Sequence, residues 1–523
     1  MALHDAAGPR SYRPRTSAGE FDARSAIKLW LQAVDAVLRA IETVAWEARD
    51  AAAEVQGVFS QLLQSSRVEA RGFSAREPQN WASGWQTKLG RLTSAALTLG
   101  RVVASYRLHT TKAAFMSRAS AARALEQLHD DSARRLYELC VRQGGALLKV
   151  GQILSSRPDL LPAAFVRELS RLQDAAPPVP VALIMRTIEE ELGRPLEDLF
   201  PVFDGEPLAA ASIGQVHRAT LHDGREVAVK VQRPQISELV AIDLELLELF
   251  LKALGDSLPP IDLDTIVRET KAMIWAELDY AREAVLTQRM ADFFAGDARI
   301  EVPSVVMERS SARVLTTTFM PGEKITTLLD RLHGHNDAAS RSTISELLAR
   351  VLEAYVRQTL DLGLFQADPH PGNLLAREDG TLVLLDFGCA KELAPEQLRI
   401  LTDLAKAFVA KDAAGMALSL QQLGFATQSG TLAGIHTYAQ TVLDEIGVVQ
   451  ARGGDWPTQV EVLSQLTVMT RTIENDPVVR LPEEFVMLGR VFGVLSGLFL
   501  HYRPDVAAAA RILPIVLMAL AKH

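Results

Sequence analysis

From residue 25 to about 64 the apolar positions Ile27, Leu31, Val34, Leu38, Ile41 and Ala45 recur every three or four residues. That is the spacing of one helical face. The opposite face carries both signs of charge, so the segment reads as a helix packing on its own chain rather than a basic helix lying on lipid. Residues 1–25 mix Arg, Ser, Gly, Pro and Ala without periodicity and read as a disordered tail. The polar residues 66–90 read as a linker. Two further helices are expected over about 92–118 and from Ala121 to Ser155.

At Pro207 the pattern changes. Residues 209–220 and 225–233 are short β-like runs around the turn His222-Asp223-Gly224, a hairpin signal. A helical block follows from Ser237 to Phe294, broken near Leu258-Pro259-Pro260. Val302–Met307 and Ala312–Phe319 are β-like again and end at the turn Pro321-Gly322. From Ser340 the pattern is helical except at 365–390. There Asn373-Leu374-Leu375 and Leu382-Val383-Leu384-Leu385 flank the turn Glu378-Asp379-Gly380, a second hairpin. A small sheet with one long helix, then a helical lobe opened by a hairpin, outlines an α+β, bilobal, protein-kinase-like fold with a small antiparallel N-lobe sheet. The expected divisions are a tail (1–25), an N-terminal helical extension (26–120), a helical insert (121–206), an N-lobe (207–322) and a C-lobe (323–523).

Composition narrows the function. Acidic residues outnumber basic ones, 64 to 55, for a net charge of −9, which speaks against a nucleic-acid partner. The only cysteines, Cys140 and Cys389, build neither a disulfide framework nor a cysteine zinc site. A reducing compartment is expected. Residues 1–25 lack the apolar run of a signal peptide. Phe485–Leu500 and Val506–Ala521 are each shorter than the about 20 residues a spanning helix needs. Each also carries an arginine, Arg490 and Arg511. Both read as buried core helices of a soluble or peripheral protein.

Four groups of residues carry candidate chemistry. The first is Asp368-Pro-His-Pro-Gly-Asn373 followed by Asp386-Phe387-Gly388. Phosphoryl transfer needs carboxylates and an amide to hold Mg²⁺ against a triphosphate, and a group to orient the acceptor. An Asp five positions before an Asn, then a D-F-G turn on the next hairpin, is the kinase arrangement of those groups. The second is Val227-Ala228-Val229-Lys230, a strand ending in the lysine that grips phosphates, with Ala209-Ala210-Ala211-Ser212-Ile213-Gly214 upstream where a glycine-rich loop belongs. Three Cβ atoms there restrict the close backbone approach that Gly allows. With Val216, Lys230, Phe319 and Met320, the residues Ala209, Ala210, Ala211, Ser212, Ile213 and Gly214 form the candidate nucleotide contacts. The third is Glu277-Leu-Asp279-Tyr280-Ala-Arg-Glu283 on the long helix. A helix carboxylate must pair with the strand lysine, and Glu277 and Glu283 both qualify, on rather different faces. The fourth is Lys149-Val-Gly151-Gln152, polar residues and a glycine inside an apolar helical run. A mid-helix Gly costs about 0.8–1 kcal/mol, and such a departure from local preference has either a structural explanation or a functional one.

Together these residues resemble the UbiB/AarF-like atypical kinase family, linked to ubiquinone biosynthesis. The matching stretches are Leu148–Gln152 with Arg157-Pro-Asp, Gln173-Asp174, Pro207–His217, Val227–Lys230, Glu277–Glu283, Ala367–Asn373 and Leu385–Gly388, in the family's order over about 130–395. The resemblance implies that Lys149 and Gln152 belong to an insert over the protein-substrate site. It places Glu277 and Asp279 in an E-x-D motif facing that insert, with Glu277 the partner of Lys149. Glu283 would pair with Lys230, Asp368 would be the catalytic-loop Asp, and Asn373 and Asp386 the metal ligands. The implied cofactors are ATP and Mg²⁺, and the implied activity is an ATPase or a phosphotransferase acting on an isoprenoid or lipid-like molecule, in quinone synthesis or lipid homeostasis. The implied place is the cytoplasm with peripheral contact at the inner membrane. The alternative is an ATP-regulated scaffold or lipid-binding module with little turnover. A conventional protein kinase is disfavoured by the alanines, by the Lys149–Gln152 helix and by the lack of an A-P-E stretch after Gly388. Two departures stand out: Gln366 lies two before Asp368, where relatives often carry His, and the C-terminal membrane spans of some members are not expected here.

Overall fold

The computed structural model describes residues 85–113, 115–155, 161–174, 178–254, 263–335, 337–451, 476, 478–480, 483–504 and 512–522. The tail, the helix expected over 25–64 and most of the linker therefore lie outside the described residues. Two compact units are present, one of residues 1–176 with 235–268, the other of 177–234 with 269–523. The expected insert thus divides at 176, and residues 235–268, expected in the N-lobe, group with the first unit.

In the first unit, helix α1 (Trp85–Ala113) begins inside the segment read as a linker. Helix α2 (Arg118–Gln143) is capped by Ser117, whose hydroxyl accepts from Ser120 N. The single helix expected to Ser155 is instead two. Gly144 and Gly145 adopt φ of 60° and 56°, left-handed values open to glycine, and the chain turns before α3 (Gly145–Ser155). Gly151 in α3 has a packing reason. A Cβ there would collide with Leu172 Cδ1 and lie 3.0 Å from Cys140 Sγ. The unit also contains α4 (Ala163–Leu169) and α6 (Ile236–Leu254), and the buried Asp243 of α6 accepts from Leu147 N at 3.1 Å.

The second unit holds the two lobes. After α5 (Val181–Leu192) come β1 (Val202–Ala210), β2 (Gly214–Thr220) and β3 (Glu226–Gln232). With β5 (Val314–Thr318) they form an antiparallel sheet in the order β1-β2-β3-β5. Val227, Val229 and Val231 of β3 alternate into a core with Ile184, Ile188, Leu199 and Phe200, the period-two pattern of a strand buried on one face. The single run expected over 209–220 is split into the end of β1 and the whole of β2, and β1 starts at Val202, before the expected change at Pro207; its pairing with β2 shifts register between Phe203, Pro207 and Ala209, which blurs any alternation.

The long helix expected to carry both Glu277 and Glu283 is broken between them. α7 (Leu263–Glu277) ends there, and Asp279 caps α8 (Tyr280–Phe294) by accepting from Arg282 N. Glu283 consequently occupies the first turn of its own helix, where the helix dipole favours a carboxylate.

β4 (Ile300–Glu301) and β6 (Glu323–Lys324) flank β8 (Leu374–Ala376) and β9 (Leu382–Leu384) in a second sheet, β4-β9-β8-β6. Of Val302–Met307, expected as a strand, only Val305 makes a bridge, to Thr317. Between β6 and β8 lie α9 (Ile325–His335), α10 (Ala338–Arg357) and β7 (Leu364–Gln366), which pairs with β10 (Ala390–Glu392). Helices α11 (Pro395–Val409), α12 (Ala413–Gln422), α13 (Leu432–Ala451), α14 (Glu483–Tyr502) and α15 (Ile512–Lys522) follow. Met487, Leu488, Val491, Leu495 and Phe499 of α14 enter the C-lobe core, as expected of Phe485–Leu500. No described helix is long and apolar enough to cross a membrane.

Candidate active site

The N-lobe sheet and α8 meet at Lys230. Its register neighbours are Val216 on β2 and Leu315 on β5, which fixes the side chain in mid-sheet. Lys230 Nζ donates to Glu283 Oε1 at 2.7 Å and Oε2 at 2.9 Å, and to Asp386 Oδ2 at 3.0 Å. The Glu283 side chain is 3% exposed, that of Lys230 21% and that of Asp386 41%. Of the two carboxylates left open by the sequence, Glu283 is the lysine's partner. Glu277 Oε1 accepts from Cys389 Sγ at 3.4 Å.

Burial alone would lower the Lys230 ammonium, but the carboxylates of Asp386 and Glu283 raise it well above its usual value. Burial pushes the Glu283 carboxyl up to about 7 against the lowering pull of Lys230. The lysine therefore stays cationic between two acidic groups, the state that attracts phosphate.

The segment that stands in the place of a glycine-rich loop is strand at both ends. Ala209 and Ala210 are paired strand residues opposite Val216 and Gln215. Only Ala211-Ser212-Ile213 make the turn, closed by Ala211 N donating to Gly214 O at 2.8 Å. Arg233 braces it, its main-chain N on Ile213 O at 2.9 Å and its Nε on Ala211 O at 3.0 Å. Gly214 is required by a close approach. An added Cβ would meet Tyr280 Oη at 2.5 Å and Val231 O at 2.7 Å.

Tyr280 was not singled out by the sequence. Its ring lies under the Lys230 ammonium, 5.0 Å from Nζ to centroid, and its hydroxyl is buried without a hydrogen-bond partner among the described residues. A buried orphan hydroxyl costs about 1–3 kcal/mol, so Tyr280→Phe is expected to raise the unfolding free energy by about 1 kcal/mol, read by thermal or urea denaturation; a loss would mean that the hydroxyl has a partner in solution.

At the end of β5, Phe319 continues the ladder, its N donating to Glu226 O at 3.0 Å, and Arg218 stacks on its ring at 4.4 Å. Thr318 Oγ1 lies 3.8 Å from the sulfur of Met320.

Asp368 opens a loop stiffened by Pro369 and Pro371, whose φ is fixed. Asn373 N donates to His370 O at 2.8 Å, and Asn373 Nδ2 donates to Asp368 O at 3.4 Å. Leu385 N donates to Asn373 O at 2.9 Å, so Asn373 lies beside the segment that leads from β9 to Asp386. Asp386 has φ of 57°, a region costly for a non-glycine residue, and Oδ1 accepts from Gly388 N at 3.1 Å. Phe387 is fully buried in the C-lobe core, and Arg282 Nη2 donates to Ala390 O at 3.0 Å, tying α8 to the segment beyond Gly388.

These donors suit a hard divalent cation. Among the described residues no group of three or more His, Cys, Asp or Glu is arranged to hold an ion. The half-exposed Asp386 carboxylate and the Asn373 amide oxygen are two hard oxygen donors flanking the β8–β9 hairpin, one just before β8 and one just after β9. Such donors suit a cation that takes one carboxylate and completes its shell with phosphate oxygens and water, as Mg²⁺ does.

Lys149 and Gln152 lie in α3 of the first unit, where Gln152 Nε2 donates to Leu172 O at 2.9 Å.

The chain matches the ABC1 atypical kinase-like domain over residues 171–420. It is 34% identical to the Synechocystis protein sll1770, described as uncharacterized, over 73% of this chain and 64% of that one. It is 35% identical to the chloroplastic Protein ACTIVITY OF BC1 COMPLEX KINASE 7 of Arabidopsis thaliana, over 70% of this chain and 52% of the relative. A solved structure of Rv3197 with erythromycin, from Mycobacterium tuberculosis, is 25% identical with a TM-score of 0.47, covering 74% of this chain and 95% of that one. The chain spans between about half and just under two thirds of the length of these curated relatives.

Proposed function

Since the chain belongs to the ABC1 (UbiB/AarF-like) atypical kinase family, we propose that it is a Mg²⁺-dependent ATPase or phosphotransferase whose acceptor is an isoprenoid or other lipid-like molecule. The observation that carries the reading is Lys230 held between the buried Glu283 and Asp386, with the Asp368–Asn373 loop joined to the same strand end.

Each residue has one task in this reading. Lys230 grips the α- and β-phosphates, and Glu283 aims its ammonium. Asp386 and Asn373 would hold Mg²⁺, which when bound would supply positive charge against the phosphates. Asp368 orients the attacking oxygen of water or of an acceptor hydroxyl and takes its proton, as the bond from the γ-phosphorus to the bridging oxygen breaks and a new P–O bond forms. The Ala209–Gly214 segment covers the phosphates as a braced hairpin, which restricts how closely its backbone approaches them.

A role in quinone synthesis or lipid homeostasis and peripheral contact with a membrane belong to the same reading. Phe492 on α14 and Met518 on α15, 57% and 60% exposed, are apolar side chains available for such contact. The test is ATP hydrolysis by the full chain with Mg²⁺, with and without vesicles carrying an isoprenoid-substituted phenol. Turnover that rises several-fold with those vesicles supports the proposal. Nucleotide binding without turnover in either condition overturns it in favour of an ATP-regulated scaffold.

A further inference from the structure

Beneath the catalytic loop the C-lobe core encloses polar side chains that apolar packing alone would not select. Gln366, the last residue of β7, is 0% exposed. Its Nε2 donates to the carbonyl oxygens of Leu385 at 2.6 Å and Asp386 at 2.5 Å. Its Oε1 accepts from the Tyr355 hydroxyl at 2.5 Å, and its main-chain N donates to Gln358 Oε1 at 3.0 Å. Gln358 opens a single π-helical turn (Gln358–Leu362) between α10 and β7. Its own Nε2 is buried without a partner among the described residues. Tolerating an orphan amide and a π turn, which recurs at functional sites, suits a network kept for what it positions.

The two carbonyls that Gln366 holds belong to the two peptide planes flanking the Asp386 Cα. Fixing both planes fixes φ and ψ between them, and Asp386 is the residue with the left-handed φ of 57°. We propose that Gln366 is a positioning residue: one amide pins both peptide planes of Asp386 and so aims its carboxylate at Lys230 and at the metal position. A primary amide suits the task because it offers two N–H donors in one plane and an acceptor for Tyr355. A neutral imidazole offers a single N–H, and a carboxylate at this place would face two carbonyl oxygens without a proton to share. The amide also does not titrate, so the grip on Asp386 is independent of pH.

The inference rests on Asp386 being a metal ligand, and the experiment separates the two. Mn²⁺ replaces Mg²⁺, and its binding to the full chain with a non-hydrolysable ATP analogue is read by electron paramagnetic resonance, so turnover is not required. Gln366→Leu and Gln366→Glu are each expected to weaken Mn²⁺ binding about tenfold or more, the worth of two hydrogen bonds at about tenfold each reduced by relaxation. Metal-free nucleotide affinity should change less than about threefold. Gln366→His, which restores one donor, should recover part of the loss. If Gln366→Leu does not fold, the Glu and His variants carry the comparison. Wild-type Mn²⁺ affinity in the Glu variant, or an equal loss of metal-free nucleotide binding, overturns the positioning role. Asp386→Asn is the control. If it weakens Mn²⁺ binding while the Gln366 variants do not, the latch alone fails. If it leaves Mn²⁺ binding intact, the metal reading of Asp386 fails and the latch with it.

Discussion

Lys230→Ala is expected to cost the fold about 3 kcal/mol, the lower part of the range for removing one partner of a buried ion pair. The reason is Glu283, 3% exposed and bonded through both oxygens to Lys230. Without the ammonium its carboxylate stands buried beside Asp386 and must either unfold or take a proton. The effect is pH-dependent with a definite sign. Burial already pushes Glu283 up to about 7 with Lys230 present, and removing the lowering pull of Lys230 moves it higher. A carboxyl that binds its proton more tightly when folded contributes stability at low pH that is lost as pH rises through the folded value. Melting curves at about pH 5.5 and about pH 8 should therefore show a larger gap between variant and wild type at the higher pH. Glu283→Gln in the Lys230→Ala background should restore most of the loss at about pH 8. A gap equal at both pH values would contradict the buried pair.

Gly214→Ala is the second large effect, about 1–3 kcal/mol of destabilisation from overpacking. The new methyl would lie 2.7 Å from the Val231 carbonyl and 2.5 Å from the Tyr280 hydroxyl. The first obstacle is backbone of the neighbouring strand, so β2 and β3 would have to part where Gly214 pairs with Gln232. The second is removable. Adding Tyr280→Phe should return part of the stability, a coupling that a double-mutant cycle measures. Strict additivity would place Tyr280 away from Gly214 in solution.

Much of the fold and site was legible because the chemistry-bearing residues sit on short, strongly patterned elements. The alternation through Val227, Val229 and Val231 marks β3 and puts Lys230 on the opposite face. The Asp368–Asn373 spacing and the Asp386-Phe-Gly turn share one hairpin, so local sequence places them together. What stayed hidden depends on contacts distant in sequence or on breaks that periodicity averages over. Helices α7 and α8 have similar apolar spacing, so the change of axis at Leu278-Asp279 is silent except for Asp279, a cap residue followed by a first-turn glutamate. The paired glycines 144 and 145 signalled a turn that the apolar rhythm on both sides masked. Most of β1 was missed, and its end was merged with β2, because exposed residues and register shifts erase its alternation. Tyr280 and Gln366 act through partners in other elements, Gly214 and Asp386, and single-sequence pattern offers only the hint that Gln366 departs from histidine.

Asp386 and Lys230 together are expected to form a phosphoryl-transfer centre. Its most direct test is the Mg²⁺-dependent rate of phosphate release from ATP by the full chain beside Asp386→Asn, which keeps side-chain size while removing one hard anionic metal ligand. Turnover is expected in the wild type and a loss of at least ~100-fold in the variant, the scale of deleting one electrostatic contact to a developing charge. Equal rates in the two proteins would contradict it.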